Sequence, residues 1–142
     1  MANNILSMKL AGNIDQLIDQ QPGHEYMVNV EIEAGAGASA ANDPVALVGS
    51  MPFAWEELGA HWNESNGDWE IKITDMSDNV AFSSEKIQLI SLVGDDKQPY
   101  VLKHPWIFSG GSQIYVEATN NGSATDKLYL TFVGKRLTSP QQ

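Results

Sequence analysis

Strict alternation of apolar and polar positions marks several short stretches of the chain. In Met27–Glu33, Val28, Val30 and Ile32 fall on one side and Asn29, Glu31 and Glu33 on the other. Trp69–Thr74 repeats the pattern, with Trp69, Ile71 and Ile73 opposite Glu70, Lys72 and Thr74. Period two with one polar side predicts strands of a sheet that has one face in water. Ile114, Val116 and Ala118 alternate with polar or outward residues as well, as do the residues of Leu128–Val133, and the two stretches read as the arms of a hairpin. Their register would set Ala118 opposite Leu128, Val116 opposite Leu130 and Ile114 opposite Phe132, with a loop over 120–126. Asn120, Asn121 and Gly122 tolerate the left-handed backbone such a loop needs. The second arm is expected to stop at Gly134.

Other segments are less regular. Pro44–Val48, Val80–Ser83 and Tyr100–Lys103 read as short strands. Lys86–Val93 carries apolar residues on both sides (Ile87, Leu89 and Val93 against Ile90 and Leu92) and reads as a central strand. Pro105 limits hydrogen bonding near Trp106–Phe108 and puts that piece at an edge or bend. The tract Ala34–Ala41, all Gly, Ala and Ser, predicts a mobile loop. Pro52–Trp62 is expected to hold one helical turn ended by Gly59. Asp75–Asn79 is a turn.

Many short strands with Gly, Asn and Asp turns between them, and no βαβ alternation, predict an all-β fold. The expected fold class is an antiparallel β-sandwich of jelly-roll type with about eight strands. Its domain spans residues 25–137, after an N-terminal arm over 1–24 and before a polar tail over 138–142. In the arm, Ile14, Leu17 and Ile18 stand at i, i+3 and i+4, one apolar face of a short helix. Gln21-Pro22-Gly23 stops that helix. Met8, Leu10, Ile14, Leu17 and Ile18 are candidate interface residues, should the arm pack on a neighbouring subunit rather than on its own domain.

Composition narrows the function classes. The 142-residue chain suits one domain. It has no cysteine, which excludes disulfides, thiolate metal sites and thiol catalysis. Its formal net charge is −10, from 18 acidic and 8 basic residues. Such a balance predicts neither nucleic-acid binding nor attachment to an anionic membrane, both of which want basic surface. No signal peptide is read at the start and no continuous apolar run is long enough to span a bilayer.

Candidate chemistry is sparse. His24, His61 and His104 make neither HxH nor HExxH, so no metal site is expected. Glu56-Glu57 would diverge on a helix, and Asp75, Asp78 and Asn79 lack EF-hand spacing. Gly110-Gly111-Ser112 leads into a strand and not a helix, unlike a nucleophile elbow. The glycine-rich tract lacks both the Walker lysine and the GxGxxG spacing. No catalytic residue and no cofactor are expected, and the chain is read as a non-enzyme. Among the tryptophans, Trp69 alternates with core positions. Trp55 and Trp62 lie in irregular sequence and are candidates for an exposed protein or sugar contact.

The C-terminal third carries a more specific pattern. It runs Pro105-Trp106-Ile107-Phe108, a small turn to Ser112, Ile114-Tyr115-Val116, Thr119-Asn120, then Leu128-Tyr129-Leu130-Thr131-Phe132-Val133-Gly134-Lys135-Arg136-Leu137. This resembles small virion proteins of tailed bacteriophages, closest to the jelly-roll capsid decoration, or cement, proteins. The resemblance covers residues 99–137. It implies a capsid decoration protein that bridges capsomers, binds the major capsid protein and itself as a homo-oligomer, and sits on the capsid exterior after synthesis in the host cytoplasm. The alternative expectation is a carbohydrate-binding jelly-roll module of a head fibre or tail component, used in host attachment.

Overall fold

The computed structural model describes residues 23–42, 45–46, 51–94 and 97–137. The arm residues Met8, Leu10, Ile14, Leu17 and Ile18, and the tail over 138–142, lie outside the described residues.

Two antiparallel sheets form a β-sandwich. The first contains β1 (Gly23–Ala34), β4 (Phe53–His61), β8 (Tyr100–Phe108) and β10 (Asp126–Leu137), in the order β1-β10-β4-β8. The second contains β2 (Ser39–Ala41), β3 (Val45–Ala46), β5 (Trp69–Asp75), β6 (Val80–Ala81), β7 (Ile87–Gln88) and β9 (Gln113–Asn120). Its path is β2-β9-β5-β6, with β3 also on β9 and β7 also on β5. Because β5 takes one whole edge of β9, β2 and β3 must lie end to end along the other. By the same logic β6 and β7 share one edge of β5. Among the described residues ten strands therefore fill eight positions, four per sheet, and the fold class is the expected jelly-roll-like sandwich.

The break between β2 and β3 is bridged by a side chain. The Asn42 amide N–H donates to the Val116 carbonyl (3.2 Å). Its carboxamide accepts from Val116 N–H (2.7 Å) and donates to the Ile114 carbonyl (3.2 Å). A side-chain amide thus continues the ladder where the backbone leaves it, as a buried donor and acceptor require. The Ala34–Ala41 tract is accordingly not a simple loop. It makes a tight turn, with Ala38 N–H donating to the Gly35 carbonyl (3.0 Å), and then strand β2.

Inward positions follow the predicted alternation. Val28, Val30 and Ile32 of β1, and Trp69, Ile71 and Ile73 of β5, are all buried. Trp55 packs on Phe132 (5.0 Å between ring centroids) and edge-on to Phe82 (5.1 Å), joining both sheets. Pro105 does sit in an edge strand: β8 is outermost in its sheet, and its pairing with β4 slips between Trp55 and Glu57.

Four local expectations are corrected. Pro52–Trp62 holds no helical turn, because Phe53–His61 is a strand paired on both sides, and two ladders outweigh the local helix preference of Glu56-Glu57-Leu58. Lys86–Val93 is not one strand. It is the two-residue β7 followed by a short helix, α1 (Leu89–Val93), which buries Leu89 and Val93 at i, i+4 spacing. Strand β10 does not stop at Gly134 but runs on to Leu137, past a bulge at Glu56 of the neighbouring β4. Finally, β9 and β10 are not a hairpin. Strand β9 pairs with β5 and β10 pairs with β1 and β4, so Ile114, Val116 and Ala118 face Leu128, Leu130 and Phe132 across the core from opposite sheets.

Candidate functional site

The loops β1–β2, β4–β5 and β9–β10 gather at one end of the sandwich, together with the chain leading into β8. Asn120, fully buried at the end of β9, organises them. Its carboxamide donates to the carbonyls of Ala34 and Ala124 (2.9 Å each) and accepts from Gly122 N–H (2.8 Å). Asn66 reaches across in the same way, donating to the Ala124 carbonyl (2.8 Å) and accepting from Ser123 N–H (3.1 Å). The two loops touch backbone to backbone, so that a Cβ on Gly67 would lie 2.6 Å from Gly122 Cα. Only a residue without a side chain permits that approach.

Asp126, the first residue of β10, ties the loops to the core. Its Oδ2 accepts from the Trp69 indole (3.1 Å) and from Asn63 N–H (3.2 Å). The Trp62 indole donates to the Gly67 carbonyl (3.0 Å). Lys97, in the left-handed region at φ 52°, donates to the Trp62 carbonyl. Its ammonium lies 4.7 Å from the Trp62 ring centroid and 3.5 Å from the Glu64 carboxylate. A non-glycine residue held in that conformation costs about 1 kcal/mol or more and persists only where neighbours over-determine it. Here Trp62, through its carbonyl and its ring, and Glu64 hold the side chain.

Beside this framework lies an open polar groove of about 700 Å³. Its walls include Glu33, Asn63, Glu64, Thr125, Asp126 and Lys127. At its flank, Tyr129 of β10 and His61 of β4 are cross-strand partners on the outer face of the sheet. Their rings lie 6.2 Å apart at 34° and Tyr129 is 42% exposed. Lys127 pairs with Glu31 (3.4 Å), and that carboxylate holds the ammonium above its ordinary pKa. Asp68, in the β4–β5 loop, is pushed up by burial, against the pull of the Trp69 and Ile90 N–H groups.

A second, apolar groove of about 280 Å³ opens where the edge strand β8 faces β6 and β7 across the sandwich. Phe82, Ile87, Leu92, Tyr100 and Leu102 line it, with Lys103 and His104 at its border. Between Tyr100 and Leu102 on β8, Val101 is 64% exposed. The opposite end of the sandwich is closed by Asp75, which is fully buried. Asp75 accepts from the Trp106 indole (3.0 Å), the Ser112 hydroxyl (2.8 Å) and Ser77 N–H (3.1 Å). Asp75, at the start of the expected turn, is thus a hydrogen-bond hub between β5, β8 and the turn before β9.

The expectation that Trp55 and Trp62 are exposed is corrected. They are 3% and 2% exposed, Trp55 within the aromatic core and Trp62 beneath Lys97. Their surroundings look irregular in sequence because Trp55 sits at a register slip and Trp62 just past a strand end. The exposed aromatics at the grooves are instead Tyr129 and Tyr100, of which Tyr129 flanks the polar one. Its signal was in the chain: it is the outward residue of the alternating Leu128-Tyr129-Leu130. Among the described residues, no group of three or more His, Asp or Glu side chains is placed to hold a metal ion.

No protein-family model matches the chain, and no curated protein does. Among solved structures, it is similar to a chain of the acidic stable capsid structure of Helicobacter pylori bacteriophage KHP30, with 8% identity and a TM-score of 0.43 over 79% of this chain and 93% of that one. A crystal structure of FLHE matches at 8% identity and TM-score 0.33, over 76% of this chain and 96% of that chain. The structure of infectious bursal disease virus, Gx strain, matches at 9% identity and TM-score 0.33, over 83% and 37% respectively.

Proposed function

We propose that this chain is a non-enzymatic virion structural protein, a capsid decoration protein that binds the outer surface of a shell of major capsid proteins, and its own copies, after synthesis in the host cytoplasm. The observation that carries the reading is the apolar groove at the open edge of the sandwich. Ile87 and Tyr100 border it at 36% and 37% exposure, and Val101, outward between Tyr100 and Leu102 on the same strand, exposes a further apolar side chain. An apolar patch around a concave surface, on an otherwise acidic molecule, is the mark of a protein contact. Among the described residues β8 is the last strand of its sheet, and a strand in that position can take up a partner strand. The −10 charge would keep free copies dispersed. Many weak contacts on a repetitive shell then act together. The resemblance of residues 99–137 to phage decoration proteins points the same way.

The test uses shells assembled without this protein. Saturating purified protein is expected to bind them and raise the temperature at which they release their contents. The double variant Ile87→Lys, Val101→Glu is expected to remain folded and lose binding. An unchanged release temperature, or undiminished binding by the double variant, would overturn the reading.

A further inference from the structure

We propose that the polar groove beside Tyr129 and His61 is a binding site for a neutral saccharide. This stands apart from shell attachment, which uses the other groove.

The argument starts from what the walls can recognise. The groove is large enough for a small ligand, at about 700 Å³. Its ionisable lining is mixed, with Glu33, Glu64 and Asp126 against Lys97 and Lys127. Such a surface has no net attraction for a phosphate or sulfate polymer. Its carboxylates are not arranged for a metal ion, since Asp126 is committed to the Trp69 indole and Asn63 N–H and Glu64 to Lys97. Nor is it a lipid or aliphatic site, because no aliphatic side chain is among its lining residues and Trp62 is 2% exposed. Closely spaced donors and acceptors of both kinds remain, and these match a ring of hydroxyl groups, each of which donates and accepts.

An aromatic pair at the flank completes the match. The Tyr129 and His61 rings, 6.2 Å apart with their planes inclined at 34°, stand side by side on the outer sheet face. The C–H face of a pyranose can rest there while its hydroxyls turn to the polar walls, the division of labour an amphipathic aromatic offers. The walls are also rigid. Lys97 is held by Trp62 and Glu64, and the β4–β5 and β9–β10 loops interlock at Gly67 and Gly122. Little side-chain freedom is lost on binding, which lowers the ordering cost that weak polar ligands otherwise fail to meet.

The test is a titration of the isotope-labelled full chain, followed by amide chemical shifts. The probes are N-acetylglucosamine, glucose, galactose, mannose and rhamnose, each to about 20 mM, which nearly saturates a millimolar site. The expected result is saturable shifts clustered at His61, Asn63, Lys127 and Tyr129 for at least one sugar. Tyr129→Ala should weaken that binding about tenfold, and Tyr129→Phe should preserve most of it. Both variants change an outward side chain, and the unperturbed core resonances verify the fold. The proposal is overturned if no sugar gives saturable shifts there, if shifts cluster elsewhere, or if Tyr129→Ala binds as wild type does. Preferential binding of heparin over the neutral sugars overturns it too. None of these outcomes bears on shell attachment.

Discussion

Replacing Gly134 by alanine should be among the most damaging single-methyl additions in the molecule. Gly134 of β10 lies between β1 and β4, opposite the bulge at Glu56 of β4. A Cβ there would sit 1.9 Å from the Ala54 carbonyl oxygen, 2.9 Å from its carbon and 3.1 Å from Trp55 Cα. All three are backbone atoms of the neighbouring strand, so no side chain can swing aside. Restoring an ordinary contact requires the strands to part locally by about 1.5 Å. That is enough to break the hydrogen bonds flanking the bulge, where Lys135 pairs with Ala54 and Arg136 with Phe53. Two lost bonds at about 1 kcal/mol each, plus about 1–3 kcal/mol of overpacking strain, give roughly 3–5 kcal/mol. For a domain of this size that is a fall in Tm of roughly 10–20 °C. Gly59→Ala is the internal control. It lies in the same β4–β10 pair, opposite Thr131, and its Cβ would meet nothing closer than 3.9 Å. It should be neutral or stabilising by up to ~1 kcal/mol, because alanine restricts the unfolded chain. Urea unfolding followed by circular dichroism and tryptophan emission measures both. If Gly134→Ala falls within about 1 kcal/mol of wild type, or Gly59→Ala costs as much as Gly134→Ala, the steric reasoning is wrong.

Three further outcomes can be checked by the same unfolding assay. Asn120→Ala should cost about 2–4 kcal/mol, since the Ala34 carbonyl and Gly122 N–H lose a buried partner, while Asn121→Ala at an exposed position stays within about 0.5 kcal/mol. Asp75→Ala should cost about 3 kcal/mol, and Ser112→Ala should add less in its presence than alone, because both remove the 2.8 Å bond between them; full additivity would contradict a shared hub. Burial raises the Asp68 pKa in the folded chain above its ordinary value of 3.8, so the native state holds that proton more tightly than the unfolded one. Stability should then fall as pH rises through the window between 3.8 and the raised value. Asp68→Asn should lack that fall and gain on wild type across it, and parallel pH profiles for the two proteins would refute the assignment.

The alternating segments already determined which side of each regular strand is buried. Val28, Val30, Ile32, Ile71, Ile73, Ile114, Val116, Leu128, Leu130 and Phe132 are core residues because a half-buried strand must place every second side chain inward. The turn chemistry and the lack of βαβ spacing were enough for a jelly-roll sandwich. Where alternation was weak, local signals misled. Glu56-Glu57-Leu58 looks helical yet lies in a doubly paired strand, and Leu89–Val93 looks like a two-faced strand yet coils into a helix. In both, the deciding free energy comes from neighbours distant in sequence.

The candidate site was harder to read for a related reason. Tryptophan in irregular sequence suggested exposure, but Trp55 and Trp62 are covered by Phe132 and Lys97, which lie far along the chain. Tyr129 becomes half of an aromatic pair only when His61 is brought beside it by the β4–β10 register. The β9–β10 connection shows the limit most clearly. Period two states that Ile114 and Phe132 both point inward, but it is equally satisfied by a hairpin within one sheet and by an arch between two. The choice was made in the tertiary structure. Strand β5 covers one edge of β9 and β2 and β3 the other, while β1 and β4 cover both edges of β10, so no edge is left for β9 and β10 to share. Side-chain pattern determines a face, whereas backbone hydrogen bonding, which is nearly blind to side-chain identity, determines the neighbour.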